Sequence, residues 1–341
     1  MRNDGKAENQ HFVAKMLLRP FASGKGDGQV RVFDRHTNRT ITSPVAIKKI
    51  FGQRRYNEAK TPAGANVSLE EPLTRLEDAT TPILLRMRNE ACLRTMSDAD
   101  RATVSSFIAA QFLRAPRMRV ANKQIADTVL HRVKAIAPAG SSIDEFESAA
   151  SDAHAKFLSL VHLADAQLMA PVLSRHKWVL LRSVGKSDFW ISDSPVTLHN
   201  DRKFGPYRNL GIALPGIQIY LPLSPRLTLA LWEDSVVAEL KEGEAKQERE
   251  RKSLHAVNLP IKKRIDLSAY DAEFERLNRK TSNIHSGMPI DVDDEAVTFC
   301  NWLQYQWSYR FIASAQGDFG LAVKIAADHP ELREGIPIKS D

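Results

Sequence analysis

The spacing of apolar residues changes once along this chain, near residues 174–178, and that change limits the folds open to it. From residue 68 to residue 173 the apolar positions recur at helical spacing, as in Leu69, Leu73, Leu76, Ile83 and Leu84. Beyond it they form short dense runs such as Trp178-Val179-Leu180-Leu181 and Leu227-Thr228-Leu229-Ala230-Leu231-Trp232. Helices and strands in separate stretches do not fit the alternating order of a parallel α/β sheet. They predict an α+β fold: a helical block packed on antiparallel β-hairpins, with a short hairpin near the N-terminus. The helical block spans about 68–173, the hairpin block about 176–233, and a closing helix and strand about 293–314. Together they predict one domain over 11–315, with peripheral stretches at 1–10 and 318–341.

Within that frame His11 to Phe21 reads as a short buried helix stopped by Pro20. GKGDG at 24–28 is a loop. Val30, Val32 and Ile41 flank Arg35-His36-Thr37-Asn38 as a hairpin, residues 45–51 add a strand, and 52–67 look irregular. Ser68 with Glu71, and Ser97 with Asp100, are capping signals. Pro82 is expected to kink or restart its helix, and the next helix ends near Pro116. Residues 122–136 and 143–173 continue the helical period. Trp178–Leu181 and Phe189–Ile191 read as one hairpin turned at Gly185, and Ile217–Leu221 with Leu227–Trp232 as another. Residues 239–252 are a charged, solvated segment.

The formal net charge of +7 is unevenly spread. Residues 1–135 hold 24 Lys and Arg against 13 Asp and Glu, a net +11; the remainder is −4. A basic region attracts nucleic acid or another anionic ligand, or serves as a solvated face. No apolar run approaches the ~20 residues of a membrane span, so no membrane partner is expected. The first ten residues lack the apolar core of a secretory signal, and Cys92 and Cys300 lack metal-type spacing. A cytoplasmic protein with two reduced thiols in helical stretches is expected. Phosphate-binding, dinucleotide, zinc-protease and serine-hydrolase motifs are absent from the sequence.

Some polar residues stand where packing does not require them. Glu70 and Glu77 are seven apart and share a helix face, as a pair for acid–base work or a divalent metal, or as a solvated acidic stripe. Gln111 and Arg114 sit on an otherwise apolar helix. Arg114 can reach a phosphate or carboxylate with its fork, or form an ion pair to Glu77. Asp193 ends a strand before Ser194-Pro195, a position for a catalytic group or for an Asx turn. His11 opens the first buried segment, as a ligand or as a satisfied core residue.

Several segments together resemble the domain-of-unknown-function 4238 family. HFVAKMLLRPFA is similar to its H-Y-x-P-x-x-Y-L-x-x-F opening, with Phe12 and Leu17 where the family has tyrosines. SLEEPLTRLEDATTPILLRM resembles its E-x(6)-E helix, and FIAAQFLRAPRMR its F-I-A-x-Q-x-x-R helix. KSDFWISDSPVTL resembles its S-D-x-P strand end, IYLPLSPRLTLAL its P-L-S-P hairpin, and NWLQYQWSYRFIAS its closing segment. The pattern falls on His11, Glu70, Glu77, Gln111, Arg114, Ser192, Asp193, Pro195 and Asn301. The resemblance implies a bacterial protein of unassigned biochemical function.

Two functions follow as expectations. One is a hydrolase of a phosphodiester or other anionic substrate, with His11, Glu77, Arg114 and Asp193 converging where the two blocks meet. Glu77, Asp193 and His11 are then the candidates to hold a divalent metal. The other is a non-catalytic binding or regulatory protein, such as a defence or toxin-like component. In it the same residues form a buried network fixing helix against hairpin.

Overall fold

The computed structural model describes residues 9–23, 28–138, 141–202, 210–258 and 266–334, and its fold is α+β. Strand β1 (Asn9–His11) leads into α1 (Lys15–Leu18) and a 3-10 turn at Arg19–Phe21. The expected helix is thus shorter, because His11 lies in β1, paired with Gly52, and the last turn, which contains Pro20, winds as a 3-10 turn. Of the GKGDG loop, residues 24–27 lie outside the described residues. Strands β2 (Gln29–Asp34) and β3 (Arg39–Thr40) make the expected hairpin, and β4 (Val45–Ala46) pairs with the start of β2. Residues 52–67 are not irregular. They hold β5 (Gly52–Arg54), paired with β1, and the hairpin of β6 (Glu58–Lys60) and β7 (Asn66–Ser68). Three-residue polar strands leave no alternation for a sequence to show.

The helical block contains α2 (Glu70–Glu90), α3 (Asp98–Leu113), α4 (Pro116–Ile136), α5 (Asp144–Ala149), α6 (Asp152–Ala164) and α7 (Ala170–Arg175). Two expectations fail on α2. Ser68 belongs to β7, and the N-cap is Leu69, without a side-chain cap bond. Pro82 does not break the helix, which runs on and buries Ile83, Leu84 and Met87. The proline deprives only the Asp78 carbonyl of its N–H partner, and burial of those three side chains outweighs that loss. The second capping box does form: Ser97 Oγ accepts the Asp100 N–H at 3.0 Å, and the Asp100 carboxylate accepts the Ser97 N–H at 3.1 Å. Residues 143–173 are not one helix. Ser151 caps α6 through the His154 N–H, and a 3-10 turn at Asp165–Leu168 precedes α7. Cys92 lies just past the end of α2 rather than in a helix.

The second half contributes β8 (Lys177–Ser183), β9 (Ile191–Ser192), β10 (Thr197–His199), β11 (Gln218–Ser224), β12 (Leu227–Trp232), α8 (Asp234–Asn258), α9 (Ser268–Ser286), β13 (Ile290–Val292), α10 (Asp294–Trp307), β14 (Phe311–Ser314) and α11 (Gly320–Asp328). One sheet has the order β10-β11-β12-β8-β13, with β13 parallel to β8 and the rest antiparallel. The expected β11–β12 hairpin is present. The hairpin expected between residues 178–181 and 189–191 is not, because both edges of β8 are taken by β12 and β13. Strand β9 instead joins a second sheet, β3-β2-β14-β9.

Alternation along β8 and β12 builds a three-layer core. Leu180 and Leu229 face the cluster of α1, α2, α3 and α7, whereas Val179 and Ala230 pack with Ile284, Val297, Cys300 and Leu303 of α9 and α10. Within the stretch expected to be peripheral, Phe319, Ala322, Ile325 and Ala326 are buried against Phe33, Trp190, Tyr305 and Ile312, and residues 335–341 lie outside the described residues. No helix among the described residues is long and apolar enough to cross a membrane.

Candidate functional site

A cleft of about 280 Å³ opens between the N-terminal segment and α2. Asn9, His11, Lys15, Met16 and Arg19 line one side and Asn57 one end. Glu70, Leu73, Thr74, Glu77, Asp78 and Thr81 line the other side, and these share one face because helical neighbours recur every three or four residues. Arg114, the C-cap of α3, closes the floor.

The floor is built around Gln111, which is fully buried. Its Nε2 donates to the Phe12 carbonyl at 2.7 Å, and its Oε1 accepts the Ala14 N–H at 3.1 Å. It thereby holds the backbone that directly follows His11. The same Oε1 accepts from Arg114 Nε at 3.1 Å and Nη2 at 2.5 Å, and Arg114 Nη1 donates to Glu77 Oε1 at 2.6 Å. The pair is asymmetric, since the Arg114 side chain is 2% exposed and that of Glu77 29%. Tyr56 seals the rear: its hydroxyl donates to the Arg114 carbonyl at 2.9 Å, and its ring packs at a tilt against Phe12 and lies under the Arg119 guanidinium.

His11 Nε2 lies 3.1 Å from the Ile47 carbonyl oxygen. A carbonyl only accepts, so Nε2 carries the proton and Nδ1 is the basic nitrogen. Desolvation pulls the His11 pKa below its ordinary value, Lys15 and Arg114 add to that pull, and the Ile47 carbonyl and Glu77 oppose it. The ring is therefore neutral near pH 7. At the far end, Asn57 Nδ2 donates to Glu70 Oε2 at 2.8 Å and the Asn57 N–H to Gln10 Oε1 at 2.7 Å. Asn57 is 2% exposed, and its Oδ1, itself buried, has no hydrogen-bond partner among the described residues.

His11, Glu70, Glu77, Gln111 and Arg114 thus meet at one place. Asp193, Ser192, Pro195 and Asn301 do not join them. Asp193 is 1% exposed, and its carboxylate accepts the N–H groups of Tyr309 at 2.7 Å, Arg310 at 2.6 Å and Phe311 at 2.8 Å. Burial pushes its pKa up to about 6, against the pull of those three amides and of Arg35. One face of α10 then satisfies the irregular chain around it. Asn301 takes the Trp190 N–H and gives to the Asp188 carbonyl. Gln304 takes the Ser192 N–H and hydroxyl and gives to the Pro195 carbonyl. Trp307 gives to the Leu198 carbonyl.

The expectation of a site joining the two blocks near residues 174–178 is therefore corrected: the residues lining the cleft all lie within the first 114. Among the described residues no three His, Cys, Asp or Glu side chains are grouped to hold a metal ion. The trio His11, Glu77 and Asp193 is not assembled, because Asp193 is committed to backbone amides.

Sequence reasoning passed over Lys15, Arg19, Asn57 and Gln304. Lys15 and Arg19 are four apart on an apolar segment, a spacing that signals one shared cationic face. Asn57 gave no signal, since only the β6–β7 turn brings it to Glu70.

A family model described as protein of unknown function (DUF4238) matches residues 9–318. No curated protein and no solved structure matches the chain. The matched span holds both the cleft and the Asp193 cluster, and the chain belongs to the DUF4238 family.

Proposed function

We propose that the cleft is the active site of a hydrolase acting on a phosphodiester or a similar anionic substrate. The observation that carries this is His11, a neutral imidazole at the cleft wall with one nitrogen fixed on Ile47 and Lys15 nearby. In this reading Nδ1 removes a proton from the attacking water. The bond from phosphorus to the leaving oxygen breaks, and that oxygen takes a proton from solvent. Lys15 and Arg19 attract the substrate's negative charge. Gln111 and Arg114 are positioning residues: they hold the backbone after His11 and fix Glu77. The test is cleavage of bis(p-nitrophenyl) phosphate and short oligonucleotides. His11→Ala is expected to lower any cleavage by ~100-fold or more, the usual scale of losing a general base. Undiminished cleavage by that variant excludes the mechanism.

A second reading has one specific observation in its favour. The Glu77–Arg114–Gln111 network is largely buried and joins α2, α3 and the N-terminal segment, as a scaffold requires. In that case the cleft binds an anionic ligand without chemistry, in a regulatory or defence-type role. The two differ in whether a bound phosphodiester is turned over.

A further inference from the structure

Two residues of the cleft lining reach past its rim and hold successive carbonyls of a 3-10 turn at Ile47–Lys49. His11 Nε2 donates to the Ile47 carbonyl at 3.1 Å, and Asn9 Nδ2 to the Lys48 carbonyl at 2.9 Å. Gly52 makes room for the second contact, since a Cβ there would lie 3.0 Å from the Gln10 carbonyl and 3.3 Å from the Asn9 amide. The backbone that bears the exposed Lys48 and Lys49 is thereby tied to the cleft wall.

Positive charge continues beyond the turn. Residues 48–55 read KKIFGQRR and contain no acid. Arg54 of β5 pairs with Asn9 of β1, and opposite residues of an antiparallel pair share a face, so the exposed Arg54 stands on the side of Asn9 and His11. The next two carbonyls are held by cations of the helical block. Lys156 Nζ donates to the Arg55 carbonyl at 2.8 Å, and Arg119 Nη2 to the Tyr56 carbonyl at 2.9 Å. A neutral carbonyl leaves those charges in place. Desolvation lowers the Lys156 pKa, and Arg119 and Arg55 lower it further, against Glu58. Glu58 is set among these cations, 3.9 Å from Arg55 Nε. Like charges gathered in this way repel, and an anion laid across them relieves the repulsion.

The aromatic rings of this stretch are turned inward: Phe51 is 1% exposed and Tyr56 3%. The surface therefore offers charge without the apolar core that a protein interface is built on. Charge alone is what a phosphate backbone needs. The adjoining cleft, at about 280 Å³, admits a nucleotide but no duplex.

We propose that the band of Lys48, Lys49, Arg54, Arg55, Arg119 and Lys156 carries a single-stranded nucleic acid past the mouth of the cleft, held by its backbone and without regard to base sequence. This rests on the cleft being a phosphodiester site, and it names the substrate class as a polynucleotide.

The test is fluorescence anisotropy of the whole chain with a labelled oligothymidylate of about 12 nucleotides, and with a mixed-sequence strand of the same length, over a series of salt concentrations. The two strands are expected to bind alike, with log Kd changing against log salt by roughly 0.7 for each phosphate held. Lys48→Gln combined with Lys49→Gln should weaken both at least ~5-fold and reduce that slope by about 1.4. Lys241→Gln combined with Lys252→Gln removes the same charge from exposed positions of α8 and should change neither. An equal loss in the α8 variant, no binding of either strand, or a strong preference for one sequence overturns the proposal. So does binding of a duplex or of poly-glutamate as tight as that of the single strand. Binding that weakens in the Lys48 and Lys49 variant alone, with no cleavage, supports the proposal and discards hydrolysis. Cleavage of bis(p-nitrophenyl) phosphate that depends on His11, with no binding of either strand, discards the proposal and keeps hydrolysis.

Discussion

The chain assembles two polar clusters from the same kinds of residue, and they end in opposite states. In the first, His11, Glu70, Glu77, Gln111 and Arg114 surround an open cleft. In the second, Ser192, Asp193, Asn301 and Gln304 are closed off by the α10 face and the turn into β14. Both contain a carboxylate at a position that sequence alone marks as chemical. Asp193 receives three backbone N–H groups and meets no solvent, whereas Glu70 shares one oxygen with Asn57 and faces the cleft. The difference teaches that residue type and place in the chain nominate a group, but free hydrogen-bonding capacity at an accessible surface decides whether it can act on a ligand.

The comparison breaks most sharply at Asp193. Asp193→Ala leaves three part-buried amides without their acceptor and empties a buried carboxylate site, and should lower stability by about 3–5 kcal/mol in a denaturant titration. A loss below about 1 kcal/mol would show that the cluster is not the structural one. Next in size is Glu77→Ala, which leaves the Arg114 guanidinium buried without its carboxylate. Because Glu77 is part exposed, the loss should be smaller, about 2 kcal/mol, with Glu77→Gln milder.

The pH dependence sharpens the contrast, since the two clusters should pull in opposite directions. His11 titrates below its ordinary 6.5 in the fold, so the unfolded chain binds the extra proton between those two values. Its contribution is present above pH 6.5 and is lost as pH falls through the folded value. Asp193 has its pKa raised from 3.8 to about 6. Its contribution is complete below pH 3.8 and is lost as pH rises through about 6. Asp193→Asn should therefore steepen the fall of stability toward acid, and His11→Asn should flatten it. Melts at a series of pH values check both, with buried His176, shifted downward like His11, as the shared background. The smallest stability effect is expected for His11→Ala, under about 1 kcal/mol, because removing the ring leaves only one backbone carbonyl short of a partner.

Much of this is legible in the sequence. The β2–β3 and β11–β12 hairpins, the Ser97 cap and the Glu77–Arg114 pair all follow from local pattern or from charge. The cleft residues lie on elements close in sequence, and α2 sets Glu70 and Glu77 on one face by its period alone. What stayed hidden depends on distant pairing. The Asp193 carboxylate meets Tyr309, 116 residues further on, and no local signal separates that from a catalytic position. Strand β9 leaves β8 because β13, more than 100 residues away, has taken its edge. Asn57 reaches Glu70 only through two three-residue strands with no apolar alternation.

The most direct measurement of the central claim pairs phosphodiester cleavage with a denaturation midpoint on the same preparations of wild type, His11→Ala and Asp193→Asn. The account predicts that His11→Ala loses cleavage by ~100-fold or more while keeping its midpoint, and that Asp193→Asn shifts its midpoint while its folded fraction still cleaves. Cleavage that survives without His11, or that vanishes from fully folded Asp193→Asn protein, would contradict it.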